Sequence, residues 1–476
     1  MVGPVSADEM ATADLPLVHE LQPPPRPADA FCRLASRPHC LFLDSALSDP
    51  QLGRYSFLAA DPFELIEVPA GRPDAIDLLE GRMAQFTAAT VSDLPPFQGG
   101  LAGLFSYDLS RSCERLPAAR FDEFQTPALA VGLYDVVLAF DHQQDRAWII
   151  SQGFPKLDPR QRRRRAAARL AEMRDWLNAP PVERRPNTAT PVTRNELAPQ
   201  FATTHDEVTS DFSKQDYLSA VARAVEYIHA GDVFQVNLSQ RLLCPSFDDP
   251  VSLYLRLRER NPATFASYFD LGPLQIVSAS PERFLQVRGR HVEARPIKGT
   301  RQRTTLPEAD LFAAEDLQQS EKDRAENVMI VDLMRNDLSR VCQADSVRVT
   351  QLCDVEVYQY VQHLVSAVRG ELRADRQPLD LIRAAFPGGS ITGAPKVRAM
   401  EIITELEPTA RGAYCGSLGY VGFDGSVDLS ILIRTITAGR GWWQLPVGGG
   451  IVAQSQPQDE YEETWHKATG MLKALR

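Results

Sequence analysis

The chain contains no run of about 18 apolar residues, so no segment reads as a membrane-spanning helix. Its start, MVGPVSADEMATADLPL, lacks a basic stretch followed by an apolar one, which argues against a secretion signal there. None of the seven cysteines forms a C-x-x-C pair, a pattern that disfavours a zinc site and suits reduced thiols in a cytoplasm. Positive charge is in deficit as well. The formal net charge is -11, which argues against nucleic acid as the main partner. No solenoid-type repeat is present. The glycine-rich segment PGGSITGAPK opens like a phosphate-binding loop, but Ala394 and Pro395 separate Gly393 from Lys396. Without a Gly-Lys-Ser/Thr ending, nucleotide hydrolysis is not expected.

What is present suits a soluble globular protein: 44% apolar and 24% charged residues over 476 positions. That length exceeds a single core and predicts two domains or two interlocked halves. Residues 1–40 are proline-rich and read as a lead-in, 41–181 as a sheet-rich region, 182–200 as a polar linker, and 201–476 as the catalytic region. Strands and helices mix without a βαβ rhythm, which predicts an α+β fold. Leu218, Val221, Val225 and Ile228 recur at helical spacing, with Ser213 to cap the start and Gly231 to end the helix. Asp424-Gly425 predicts a hairpin on a type I′ turn. The cluster RQRRRR, 160–165, reads as a solvated helix face.

Several groups could carry chemistry. Lys298, in RPIKGTR, stands where a strand runs into a turn, and a buried ammonium needs pairing or neutralisation. Asp323 and Glu326 share one helical face, and Glu460, Glu463 and Lys467 share another. Carboxylates that repel on one face gain a purpose when a divalent ion such as Mg²⁺ neutralises them. His363 lies in an apolar run, Arg434 is flanked by apolar residues, and Glu282 adjoins an apolar strand and is a candidate for a raised pKa.

The segments SASPERF, RPIKGTR, SEKDRAENVMIVDLMRNDLSRV, AAFPGGSITGAPKVRAMEIITELEP, AYCGSLGY and GGGIVAQSQPQDEYEETWHKA occur in the order found in the chorismate-utilising enzymes. Taken together they resemble that family from about Leu41 to the C-terminus. The resemblance implies two interlocked halves whose antiparallel sheets pack as a β-sandwich with helices outside. It also implies Mg²⁺ on Glu326 and Glu463, with Asp323 and Glu460 acting through its waters. One chorismate carboxylate would sit on the metal. The other would meet Arg434, Lys467, Tyr414 and the backbone of Gly449 and Gly450, with Ser390 and Gly393 closing the pocket. His363 would face the ring, and Glu282 would act as general acid/base.

Lysine in PIKGT resembles the aminodeoxychorismate-forming branch, where the anthranilate-forming branch carries alanine. Lys298 is then the implied nucleophile, and 4-aminobenzoate and folate synthesis the implied setting. Gln235 stands where isochorismate and salicylate synthases carry a water-activating lysine, and a glutamine cannot be that base. No glutaminase segment is recognisable, so a glutamine amidotransferase subunit is expected to supply ammonia in a heterodimer. With no lyase region after Arg476, the reaction is expected to stop at aminodeoxychorismate. LFLDS, with Leu43, Asp44 and Ser45, resembles the segment that forms a tryptophan effector pocket in related synthases. Two alternatives stay open: an anthranilate-forming subunit, and a catalytically silent metal-binding regulatory partner.

Overall fold

The computed structural model describes residues 15–49, 52–181, 189–303, 307–357 and 361–476. Two antiparallel sheets, of 13 and 10 strands, form its centre. They pack face to face with helices over the outer faces, an α+β architecture. Strand alternation produces this layering. In Gly100–Phe105, Ala102 and Leu104 join the core between the sheets with Leu41, Phe57, Ile276 and Tyr420. Leu101 and Phe105 turn outward into the cluster that holds Ile76, Leu79, Ile330 and Met334 of the covering helices. In the larger sheet, Trp148 and Ile150 face inward, while Ala147 and Ile149 share a cluster with Phe31, Met173 and Leu257. A strand covered on both faces reads as a continuous apolar run, as AWIIS and VVLAF do.

Both sheets draw on both ends of the chain. Leu41–Asp44 pairs with Phe265–Asp270 in the larger sheet, and Gly100–Phe105 pairs with Ser417–Gly422 in the smaller. Of the linker segment, 182–188 lie outside the described residues. Val192 beyond them is fixed to the larger sheet by its N–H to Arg440 O, 2.9 Å, and by Trp442 Nε1 to its own carbonyl, 2.8 Å. The proline-rich lead-in supplies structure too: Leu17–Leu21 extends the larger sheet, and the helix Pro27–Leu34 buries Phe31 against Phe42, Tyr254 and Tyr268.

Two local expectations are corrected. The hairpin at Asp424-Gly425 forms, but Gly422 and Val427 end its strands, so the loop has four residues. Only Gly425 takes a positive φ, of 83°, and the Asp424 carboxylate accepts from Ser426 N and Oγ; a type I′ turn needs positive φ at both central residues. The basic cluster is not wholly solvated. Arg162 is buried, donates to Gln152 O at 2.9 Å and lies over the Phe154 ring, and Arg165 pairs with the fully buried Asp135 at 3.0 Å. Residues from Pro307 onward form two helices, Pro307–Gln319 and Glu321–Ser339, divided by Ser320, which caps the second by accepting from Asp323 N.

The feature that builds the site is a pair of crossovers between the sheets. Leu274–Ser280 lies in the larger sheet and continues, through Pro281 and Glu282, as Arg283–Arg288 in the smaller. Val427–Ile431 lies in the smaller sheet and continues, through residues 432–434, as Thr435–Gly439 in the larger. The crossovers are hydrogen-bonded to one another: Ile431 N donates to Glu282 O at 3.0 Å, and Ala279 N to Arg434 O at 3.1 Å.

Phe31→Ala tests whether the N-terminal helix belongs to the core. Truncating a ring that is 0% exposed is expected to cost about 3 to 5 kcal/mol in denaturant unfolding. A loss below about 1 kcal/mol would mean that the helix is peripheral.

Candidate active site

The crossovers carry Glu282 and Arg434. Glu282 is 4% exposed and accepts from Ser390 Oγ at 2.8 Å and from the backbone N–H of Ile297. Burial pushes its carboxyl up to about 7, against the lowering by the Ser390 hydroxyl and by the charges of Lys298 and Arg434. An acid at that value holds or releases a proton near neutral pH, as a general acid must. Arg434 adopts φ 52° at the turn between sheets. Burial pulls its guanidinium down and the neighbouring Glu282 pushes it up, yet it remains a cation. Its fork makes no hydrogen bond or ion pair among the described residues, which leaves it available to a planar anion. His363, on Val361–Glu371, is 3% exposed and bonded to the Gly299 backbone. Burial first and the Arg434 charge second pull its imidazole down to about 4, so it is neutral at physiological pH.

Lys298 is aimed by a bulge. Ile297–Gln302 pairs with Val361–Glu371, and the register shifts between Lys298 and Thr300 where Gly299 takes φ 63°. A Cβ on Gly299 would stand 3.0 Å from Asp323 Cγ and run into Leu317, so the position needs glycine on two grounds. The Lys298 side chain is 13% exposed. Its Nζ donates to Ser390 O at 3.1 Å and stands 3.9 Å from Glu326 Oε2.

The two acidic faces occupy different helices. Asp323 and Glu326 lie in the first two turns of Glu321–Ser339, where Arg301 Nη2 reaches Asp323 at 3.5 Å. On Pro457–Ala474, the buried Glu460 accepts from Ser455 Oγ at 2.6 Å. Lys467 pairs with Glu463 at 2.6 Å and donates to Gly448 O at 2.9 Å. A Cβ on Gly449 would stand 3.3 Å from both Glu460 Oε2 and Glu463 Oε1, so the missing side chain leaves a cradle edged by carboxylate oxygens. Hard oxygen donors around such a space fit Mg²⁺. Among the described residues, however, no three His, Cys, Asp or Glu side chains converge at ligand distance. Glu326 has a lysine, Lys298, close by, and Glu463 is paired with another, Lys467.

Lys298, Glu282, Ser390, Glu326, Arg434 and His363 are thus brought together. Gly393, at φ 140°, pairs with Val236 beside them, and Gly450 lies opposite Asn237 with its Cα facing the Gln235 amide. Tyr414 has a buried ring in the same apolar cluster as Ile391 and Ile431, with the Arg411 guanidinium 5.9 Å from its centre, and its hydroxyl is hydrogen-bonded to Cys415. No hydrogen bond joins it to Arg434 or Lys467 among the described residues. Leu43, Asp44 and Ser45 line a separate cavity of about 170 Å³, with Tyr55, Phe57 and Arg283. The Asp44 carboxylate there already accepts from Arg258 Nε at 2.6 Å and Tyr254 OH at 2.9 Å.

Three residues of the site escaped sequence reasoning: Asn237, Glu407 and Arg411. Asn237 Nδ2 donates to Ser390 O at 2.9 Å, and Arg411 pairs with Glu407 at 2.6 Å in the interior. A signal for the first existed. Gln235, Asn237 and Ser239 alternate on one side of a strand whose other side, Val236 and Leu238, is apolar core.

Residues 42–473 match the family described as chorismate binding enzyme. Anthranilate synthase component 1 of Thermus thermophilus is 40% identical over 458 residues, covering 94% of this chain and 95% of that protein. Aminodeoxychorismate synthase component 1 of Klebsiella aerogenes is 39% identical over 462 residues, covering 94% and 95%. The crystal structure of anthranilate synthase component I from Streptococcus pneumoniae superposes with a TM-score of 0.75 at 31% identity, covering 90% of this chain and 93% of that one. The chain belongs to the chorismate binding enzyme family.

Glu282 makes stability depend on pH. Its folded value, about 7, lies above the ordinary 4.5. The favourable contribution of its protonated form is therefore complete below 4.5 and is lost as pH rises through 7. Glu282→Gln removes the cost of an ionised buried carboxylate, and is expected to stabilise by on the order of 1 to 3 kcal/mol more at high than at low pH. Unfolding curves at pH values of about 5 and about 8.5 check this; equal effects at both would refute the assigned titration.

Proposed function

We propose that the protein converts chorismate and ammonia into 4-amino-4-deoxychorismate, with ammonia supplied by a glutamine amidotransferase subunit, in a cytoplasmic heterodimer serving 4-aminobenzoate and folate synthesis. The observation that carries this reading is Lys298: a nearly buried amine, hydrogen-bonded to Ser390 O, whose hydroxyl in turn contacts the acid Glu282.

In the proposed reaction the Lys298 amine, in its neutral form, attacks C2 of chorismate. The C2–N bond forms, the two ring double bonds shift from C1=C2 and C5=C6 to C1=C6 and C4=C5, and the C4–O bond breaks as Glu282 protonates the departing hydroxyl, releasing water. Ammonia then bonds to C4, both double bonds shift back, and the C2–N bond breaks to return the lysine. Two allylic displacements leave nitrogen where oxygen had been. Arg434 is suited to hold a substrate carboxylate, and neutral His363 faces the ring without adding charge.

Glu326 and Glu463 would bind Mg²⁺, with Asp323 and Glu460 acting through its waters. The ion would supply positive charge to fix the other carboxylate of chorismate. Lys298 and Lys467, which now compensate those carboxylates, would be released from that role.

A second reading is production of anthranilate, favoured by the 40% identity to the Thermus thermophilus anthranilate synthase component 1. Incubation of the purified chain with chorismate, Mg²⁺ and ammonium, followed by mass spectrometry of the products, separates the two. Aminodeoxychorismate is expected; anthranilate as the main product would overturn the proposal, and no chorismate consumption would indicate a silent regulatory partner. Intact-mass analysis with chorismate but no ammonia is expected to show an adduct on the wild type and none on Lys298→Ala. A Lys298→Ala variant that works at the wild-type rate would remove covalent catalysis.

A further inference from the structure

We infer that Asn237 is a positioning residue for Lys298, acting through the carbonyl of Ser390. The inference rests on the reading of Lys298 as the reacting amine. A carbonyl oxygen has two lone-pair sites, and at Ser390 the two donors are Asn237 Nδ2 at 2.9 Å and Lys298 Nζ at 3.1 Å. The amide thus touches the acceptor that the lysine uses, without touching the lysine.

The surrounding hydrogen bonds fix that acceptor. Three consecutive carbonyls of the 390–392 turn are each held from the strand Gln235–Pro245 or from the ion pair behind it. Ser390 O takes Asn237 Nδ2. Ile391 O takes Arg411 Nη1 at 3.0 Å. Thr392 O takes Asn237 N at 2.8 Å. Arg411 Nη2 also donates to Asn237 O at 3.1 Å, so Asn237 is pinned by its backbone as well as its side chain. Behind them Glu407 accepts from Arg411 Nε at 2.8 Å and from Ser239 N and Oγ at 2.8 Å each. The pair is nearly sealed from water, at 3% and 5% side-chain exposure.

This clamp answers a mechanical need. The turn is flanked by Gly388, Gly389 and Gly393, which constrain the backbone little. A lysine amine ends four rotatable bonds and keeps its place only if its hydrogen-bond partner keeps its own. With one N–H committed to a fixed Ser390 carbonyl, a neutral Lys298 has its lone pair restricted to a small range of directions. A misplacement of about 1 Å at a reacting centre reduces rate steeply, while substrate binding elsewhere in the pocket persists.

The test is chorismate consumption with excess ammonium and Mg²⁺, which does not depend on which product forms. Asn237→Ala is expected to lower kcat roughly tenfold with KM for chorismate within about twofold, the signature of a lost transition-state contribution. Asn237→Asp, which keeps the shape but offers no N–H to Ser390 O when ionised, is expected to do the same. In a Lys298→Ala background the Asn237→Ala penalty is expected to disappear, since nothing is left to position.

A full penalty persisting in that background, or a KM rise that accounts for the loss, would overturn the role of Asn237 while leaving Lys298 in place. So would failure of both Asn237 variants to yield folded protein, which would make the residue structural. A Lys298→Ala enzyme at the wild-type rate would remove the lysine reading itself, a distinct outcome. If Lys298→Ala shows no turnover, the kcat and KM split of the Asn237 variants decides.

Discussion

One residue, Ser390, ties the candidate acid to the candidate nucleophile: its hydroxyl donates to Glu282 and its carbonyl accepts from Lys298. The two partners arrive from different directions, Glu282 from a crossover between sheets and Lys298 from a bulged strand of the smaller sheet. Everything that fixes the turn around Ser390 therefore fixes their mutual geometry. The sandwich supplies rigid crossovers, Gly299 lets the strand shift register, and the buried Glu407–Arg411 pair holds the turn from behind. A buried ion pair stabilises little against a well-packed apolar alternative, but it is costly to break and so defines a single arrangement. That is the useful property at a site whose neighbouring glycines offer no rigidity of their own.

The same burial sets the charge states. Glu282, Arg434 and His363 lie close together in a poorly solvated interior, and desolvation is the first cause of the shift in each. Desolvation raises the carboxyl and lowers the imidazole, so it favours the neutral form of both. The guanidinium alone resists neutralisation and keeps its charge. The result is a permanent cation beside a titratable acid and a neutral ring, which suits an anionic substrate that must also lose a hydroxyl. A salt bridge fully formed between Arg434 and Glu282 would have occupied both groups and held the acid ionised.

The fold class was readable because the apolar pattern and the absence of a βαβ rhythm constrain it directly. The capped helix beginning after Ser213 was readable for the same reason: Ser213 Oγ does accept from Asp216 N, and Gly231 follows the end with φ 85°. Interactions whose partners lie far apart in the chain were less accessible. Arg162 and Arg165 read as surface because neither Gln152 nor Asp135 is marked as their partner by local sequence. Asn237 left only the polar alternation of its strand as a signal, and Arg411 stayed hidden because its donors reach the carbonyls of Ile391 and Asn237, acceptors that leave no trace in side-chain identity. Of the residues that were recognised, Arg434 stands out as a charge flanked by apolar residues, whereas the roles of Lys298 and Glu282 came from the resemblance of RPIKGTR and SASPERF to the chorismate-utilising enzymes.

The comparable identity to relatives with two different products has a physical reading. Identities of 40% over 458 residues and 39% over 462 are spread along the whole chain, so they report the common fold and not the few groups that would decide the product. Under the proposed reaction the choice resides in whether an amine stands at position 298. That single group is tied to the common frame through the Ser390 carbonyl and the nearby Glu326 carboxylate. Introducing a lysine into a site without a prepared acceptor would bury an unsatisfied ammonium, at a cost of several kcal/mol. Here the acceptor exists, and its second lone pair is already engaged by Asn237. A change of product between such enzymes should therefore require the lysine together with the groups that make its burial tolerable, so that substitution at this one position is a weaker determinant than its location suggests.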